Sequence, residues 1–449
     1  MKTPLFKVLG LLTLGLLPLS PIQAANLLEI LELAKQNDAT LQAALAQRNA
    51  DAEVLPQSRA TLLPNLTITA NTQTIDRETS GGANNLDERF NSNGYGAKLT
   101  QPLLRADRWF QTSAAKESKQ QADALYRDAE QTLMVRVATA YFNILRAEDN
   151  LKAAQARENA FRQQLEQANE RFRVGLIAAT DVYEAQAGFD LAKVERISSL
   201  EARNNSFATL ATLTGQAFDD VSELNKNMPI AGPTPALLQD WINTALANNS
   251  QLAAQKHQMQ AAKEQIKAEK SGHLPTIDAT ASYSHAEEGG TSFLGNESDT
   301  EIFALEFTLP LFEGGGRSSK VREARYRYEQ TQQTYEGAYR TLKENVQTQH
   351  RTVTTDVLRI RARKAALKSS EAALEATLGG YDVGTRNIVD VLQAQNTTFN
   401  AQRDYANAIY DYIINLLTLK QLAGTLNQAD LAEFNQWLRQ ENQPEATPS

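Results

Sequence analysis

Val174-Gly-Leu-Ile-Ala-Ala-Thr-Asp-Val-Tyr-Glu-Ala-Gln186 and Val383-Gly-Thr-Arg-Asn-Ile-Val-Asp-Val-Leu-Gln-Ala-Gln395 share the pattern V-G-x5-D-V-x2-A-Q, 209 residues apart. A pattern this long, kept at one spacing, marks a duplicated unit, and a duplication changes how every other segment is read. Working outward, Leu63-Pro64 falls on Leu274-Pro275 at an offset of 211, and Gln101-Pro102-Leu103 on Leu309-Pro310-Leu311 at 208. The first copy spans residues 25–230 and the second 231–430, with 431–449 left as a C-terminal tail.

Each copy begins with an Ala/Gln/Glu-rich helical segment, about Leu27 to Ala60 and Pro235 to Lys270. The Leu-Pro pair ends it, because the residue before proline disfavours the helical region. Strand pairs follow at about 65–104 and 275–312, with Asn65 to Ile75 pairing Tyr95 to Leu103 and Thr276 to His285 pairing Glu301 to Leu311. Phe303, Leu305, Phe307 and Leu309 alternate with Ala304, Glu306 and Thr308, so one face is apolar and the other meets water. Polar loops, about Ser80 to Asn93 and Glu287 to Thr300, join the strands.

Long helical hairpins come next, at about 105–214 and 314–424. Leu133, Val137, Ala140, Ile144, Ala147, Leu151, Ala154, Phe161, Leu165, Ala168 and Phe172 step by threes and fours, with Glu158 as the polar interruption. That is a coiled-coil seam. A helix of roughly 65 residues is on the order of 100 Å long, beyond the size of an ordinary domain. Gly175 and Gly384 break the helices, and in the second copy Tyr405, Ile409, Tyr412, Leu416, Leu419, Ala423 and Leu426 carry the return.

At the start of the chain, Lys2 and Lys7 precede an apolar run from Val8 to Leu19 and then Ile22-Gln23-Ala24. Residues 1–24 read as a cleaved signal peptide, since the run falls short of the roughly 20 residues a spanning helix needs. Their removal takes 45 Lys and Arg to 43 against 53 Asp and Glu, a formal charge of about −10 that argues against nucleic acid as a partner. The chain contains no cysteine, hence no disulfide, thiolate metal site or lipidated Cys.

Strands with one apolar face, in an exported chain that offers no apolar helix, suggest an outer membrane. Four strands cannot close a barrel, which needs at least eight; three copies would supply twelve strands and twelve long helical passes. The expected fold is therefore mainly α with a β-barrel portion: coiled-coil hairpins forming a tunnel beneath a trimeric 12-strand barrel. A soluble strand pair capping a coiled coil, as in a periplasmic adaptor without channel activity, stands as the alternative.

No catalytic constellation is present. His257, His273, His285 and His350 lie in unrelated segments and read as solvated, no cofactor or metal is implied, and Gly314-Gly315-Gly316 lacks the Lys-Ser/Thr of a phosphate loop. That triplet reads as a strand-to-helix corner.

Tyr381-Asp-Val-Gly-Thr-Arg-Asn-Ile-Val-Asp-Val391, Arg171-Phe-Arg-Val-Gly-Leu-Ile-Ala-Ala-Thr-Asp-Val182, Leu309-Pro-Leu-Phe-Glu-Gly-Gly315 and the segment from Tyr412 to Leu431 resemble the TolC outer-membrane efflux family. The resemblance covers essentially all of the chain after residue 24. It implies a homotrimeric duct in outer-membrane lipid, fed by an inner-membrane pump through a periplasmic adaptor, for drugs or secreted proteins. It further implies a gate of Thr180, Asp181, Tyr381 and Arg386, with Arg386 bridging to Asp181 and Thr180 and the Tyr381 hydroxyl reaching Asp181. Asp390 matches a ring of carboxylates at the entrance, whereas the family's second acidic ring falls on Gln393. Val174, Gly175, Leu176, Val383, Gly384 and Thr385 match the adaptor contacts. Read from spacing alone, Asp181-x-x-Glu184 and Asp390-x-x-Gln393 look instead like helix capping boxes.

Overall fold

A computed structural model describes residues 25–79, 86–225, 228–289 and 296–438; the signal-peptide reading at 1–24 lies outside them. The first copy runs α1 (Leu27–Asn37), α2 (Ala39–Ala52), α3 (Val54–Ala60), β1 (Asn65–Thr79), β2 (Leu86–Leu104), α4 (Ala106–Arg173) and α5 (Ala179–Thr214). The second runs α6 (Leu238–Asn248), α7 (Ser250–Ser271), β3 (Thr276–Glu288), β4 (Asn296–Thr308), α8 (Gly316–Asp382) and α9 (Ile388–Leu422), and α10 (Gln428–Asn435) follows.

The duplication is visible in detail. Each leading helical segment, expected to be continuous, breaks at one extended residue, Asp38 in the first copy and Asn249 in the second. Each breaks for the same reason: its side chain caps the next helix, accepting from Leu41 N at 2.8 Å and Leu252 N at 2.8 Å. Asp38 is further held by both terminal nitrogens of Arg136, and Asn249 donates to the Leu422 carbonyl.

The four strands form one antiparallel sheet in the order β1-β2-β3-β4, so the central β2–β3 pairing joins the two copies. β2 and β4 start earlier than the alternation indicates, at Leu86 and Asn296, so part of each expected loop is strand; residues 80–85 and 290–295 are outside the described set. β4 also stops at Thr308, before Pro310, which has no amide to donate. Register places Leu66, Leu99, Ala281 and Phe303 side by side on one face, with Phe307 beside Ile277. Thr69, Gly96, Ser284 and Thr300 lie together on the other. Phe303 and Leu305 are 82% and 68% exposed, an apolar band with no partner in the protomer. Gly314 and Gly315 turn the chain from this sheet into α8, as the sequence indicates.

The hairpins match their expected length, with α4 of 68 residues and α8 of 67. The main core lies midway along them, where α1, α6 and α10 wrap the bundle around Tyr141, Phe142, Ile413 and Leu417. Burial pushes the Tyr141 and Tyr410 phenols far above their ordinary range. They stay neutral donors, to the Ser222 carbonyl and to Asp149. The chain from residue 431 is not a free tail as far as Leu438: Asn427 caps α10, and Leu431 and Phe434 are buried. Residues 439–449 lie outside the described residues. Among the described residues no helix is long and apolar enough to cross a membrane.

Glu158 interrupts the apolar seam at little cost, because Arg196 of α5 reaches it at 2.6 Å and Arg162 at 3.5 Å. Around the bundle α5 packs on α4, α4 on α9 and α9 on α8. α5 and α8 are therefore the two free edges of the lower bundle.

Candidate gate at the hairpin turns

Both turns are Schellman motifs built the same way. Gly175 N–H donates to the Phe172 carbonyl and Leu176 N–H to that of Arg171; Gly384 and Thr385 repeat this onto Tyr381 and Gly380. The motif needs a left-handed residue, supplied by Gly175 at φ +77° and Gly384 at φ +78°. The tips expose Val174, Leu176 and Val383 at 65, 73 and 75%. Turn geometry accounts for the glycines but leaves these apolar tips unused.

After the turns the copies diverge. α5 starts on Ala178, which has no side-chain cap, and Asp181 occupies its first turn without capping it. Thr180 Oγ1 lies 3.5 Å from Asp181 Oδ1. The capping box read at Asp181–Glu184 is thus absent. α9 has a box, shifted by three residues: Asn387, in extended conformation, accepts from Asp390 N at 2.9 Å, and Asp390 accepts from Asn387 N at 3.4 Å. Asp390 also faces Arg386 at 3.8 Å, and Gln393 is exposed one turn farther along α9. Carboxylates in the first turns of α5 and α9 sit favourably at the positive ends of the helix dipoles.

Tyr381 is only 6% exposed and packs with Phe161, Ala192, Ile388, Val391 and Leu392 in a small second core. Its hydroxyl is buried with no hydrogen-bond partner. The Arg171 guanidinium carbon lies 4.4 Å from the ring centroid, and Arg171 Nη2 lies 3.7 Å from Asp382 Oδ1. Within one protomer, then, Thr180 meets Asp181, Arg386 meets Asp390 and Tyr381 meets Arg171. The expected bonds from Arg386 and Tyr381 to Asp181 are not made there. The helix order explains this: Asp181 opens α5 at one edge of the protomer, whereas Tyr381 ends α8 at the other.

The sequence reading assigned Arg171 and Asp382 no role. The signal available was the repeat itself, because the offset of 209 sets Arg171 against Gly380 and Phe172 against Tyr381. Two of the histidines are less solvated than expected, His257 pairing with Glu117 at 2.8 Å and His285 with Asp299 at 3.0 Å, while His273 is exposed. No group of three or more His, Cys, Asp or Glu is placed to hold a metal among the described residues.

Comparison with known proteins gives a family description, "Outer membrane efflux protein", matched twice, at residues 30–216 and 241–425. The two matches fall on the two copies of the repeat. The chain is 34% identical to "Outer membrane protein TolC" of Vibrio cholerae, over 97% of this chain and 98% of that protein. It is 29% identical to "Proteases secretion protein PrtF" of Dickeya chrysanthemi, over 93% and 92%. In fold it is similar to the crystal structure of the Campylobacter jejuni CmeC outer membrane channel, with a TM-score of 0.76 at 17% identity, covering 98% of each chain.

Proposed function

This chain belongs to the outer membrane efflux protein family, and from that premise we propose how its geometry makes an outer-membrane exit duct for efflux and type I secretion. The supporting observation is a pair of unfinished surfaces, one on the sheet and one on the bundle. The sheet ends in open strands at β1 and β4 and has one apolar and one polar face. An open strand edge invites another strand, and a barrel is the arrangement that leaves no edge in lipid. Three copies close twelve strands with Phe303, Leu305 and Phe307 towards lipid and the Thr, Ser and Gly face towards the lumen.

Below the sheet, α5 exposes Tyr183, Leu191, Val194 and Ile197, at 73, 67, 60 and 51%. α8, the opposite edge, exposes Leu358 and the small residues Ala365, Ala366, Ala372 and Ala373. Different surfaces on the two edges make a head-to-tail contact, which closes into a ring when the rotation permits. The long helices then line a tunnel on the order of 100 Å deep.

The entrance lies at the hairpin turns, where Thr180, Asp181, Tyr381 and Arg386 form the gate. A bond from Arg386 to Asp181 joins opposite edges, so it forms between neighbouring copies, as a charge-assisted contact. Asp390 contributes one ring of carboxylates. The exposed apolar tips receive a periplasmic adaptor, which couples the duct to an inner-membrane pump. Arg386→Glu and Asp181→Ala each weaken closure and raise the conductance of the trimer in planar bilayers. Unchanged conductance in both variants refutes the gate assignment.

A further inference from the structure

The two turns set different residues at equivalent places, and one of those differences has a structural result. Arg171-Phe172-Arg173 in the first copy stands opposite Gly380-Tyr381-Asp382 in the second. Phe172 is 48% exposed, whereas Tyr381 is 6% exposed. Arg171 is what covers Tyr381. Its guanidinium lies over the ring at 4.4 Å, and its Nη2 faces the next carboxylate, Asp382, at 3.7 Å. A planar cation suits this role, since it can stack on an aromatic face while its edge meets an anion. Beneath the ring Phe161 of α4 and Val391 and Leu392 of α9 form an apolar floor, so both hairpins contribute to the seat.

Gly380, at the place equivalent to Arg171, makes no such contact. A Cβ there would meet Arg386 Cγ at 2.8 Å and Thr385 Oγ1 at 3.2 Å, so the space is filled by its own turn. The second copy of the repeat therefore has no counterpart of the Arg171 contact.

We propose that Arg171 is a clasp between the two hairpins of one protomer, a positioning residue that holds Tyr381 and Asp382 of the second hairpin against the first and so keeps the entrance narrow. The proposal rests on the ring of three copies described above. The hydroxyl of Tyr381 has no part in it, because that group is unbonded; the aromatic face is what Arg171 engages.

The test is single-channel recording on the full-length trimer, with assembly and thermal stability measured beside it. Arg171→Ala is expected to shift the closed-to-open ratio towards open on the order of tenfold. Arg171→Lys, which keeps the charge but not the planar face, falls between that variant and the wild type. Tyr381→Leu, which removes the aromatic face, behaves as Arg171→Ala. If the alanine variant does not assemble, Arg171→Gln, of similar length but uncharged, is expected to give the same shift. Wild-type currents from Arg171→Ala (or Arg171→Gln) overturn the clasp while leaving the duct intact. A wild-type trimer that carries no current overturns the duct, and the clasp with it.

Discussion

Replacing Leu191 and Ile197 of α5 by Asn should prevent trimer formation while sparing the fold of the protomer. Leu191, Val194, Ile197 and Leu200 are 67, 60, 51 and 40% exposed, so a large part of their apolar surface is left uncovered by the protomer. Fully burying such a side chain is worth about 1.5–3 kcal/mol; scaled by these exposures, the four contribute roughly 4–5 kcal/mol at each junction. The double variant removes about half of that and leaves two amides to be buried without designed partners, at about 1–3 kcal/mol each. The loss at each junction is then at least about 4 kcal/mol, a thousandfold or more in association, and a closed ring contains three such junctions. Light scattering or native mass spectrometry in detergent reads the outcome as monomer replacing trimer, and circular dichroism reads the retained helix. A double variant that stays trimeric with unchanged thermal stability would show that this ridge faces something other than a neighbouring copy.

Four further outcomes follow from single positions. Gln393→Asp places a second carboxylate one turn from Asp390 and should lower the concentration of multivalent cation needed for half block on the order of tenfold; equal block would remove these residues from the lumen. Gly424→Ala should cost about 3 kcal/mol or more, since Gly424 has φ +69° and a Cβ there would lie 2.3 Å from the Asn248 carbonyl oxygen. Gly175→Ala, at φ +77° with nothing within 4 Å, should cost only about 1–2 kcal/mol, and melting curves that rank the two the other way would contradict the packing. Burial pushes the Asp128 carboxyl above its ordinary value, so the folded state holds this proton more tightly than the unfolded chain and the charged form opposes folding at neutral pH. Asp128→Asn should therefore raise the melting temperature at pH 7. The gain should shrink as pH falls through the raised value and vanish below the unfolded one, near 4; a gain that persists there would assign the effect to packing.

What the sequence carried best was anything set by periodicity or by a single backbone preference. Leu63-Pro64 and Leu274-Pro275 end helical segments because proline restricts its neighbour, and β1 and β3 follow directly. The steps from Leu133 to Phe172 require one long helix, and the structure has it. Positions where two caps compete were harder to read: Asp390 sits three residues after Asn387, both suit an N-cap, and the extended conformation of Asn387 decides between them. Asp38 and Asn249 break helices through one extended residue each, a change too local for the apolar pattern to register. Least legible was the contact of Arg171 with Tyr381, 210 residues apart. It depends on the rotation of α4 and α8 about their axes, and no spacing within either hairpin encodes that.

The central claim is that three copies of this chain enclose one conducting path. Single-channel recording on the intact protein, purified from the outer-membrane fraction with its mass measured in the same detergent, tests it most directly. The account predicts a trimer that inserts in single steps, each adding a uniform, cation-preferring current that rises in Arg386→Glu. A folded protein that remains monomeric, or a trimer that inserts into the bilayer without adding current, would contradict it.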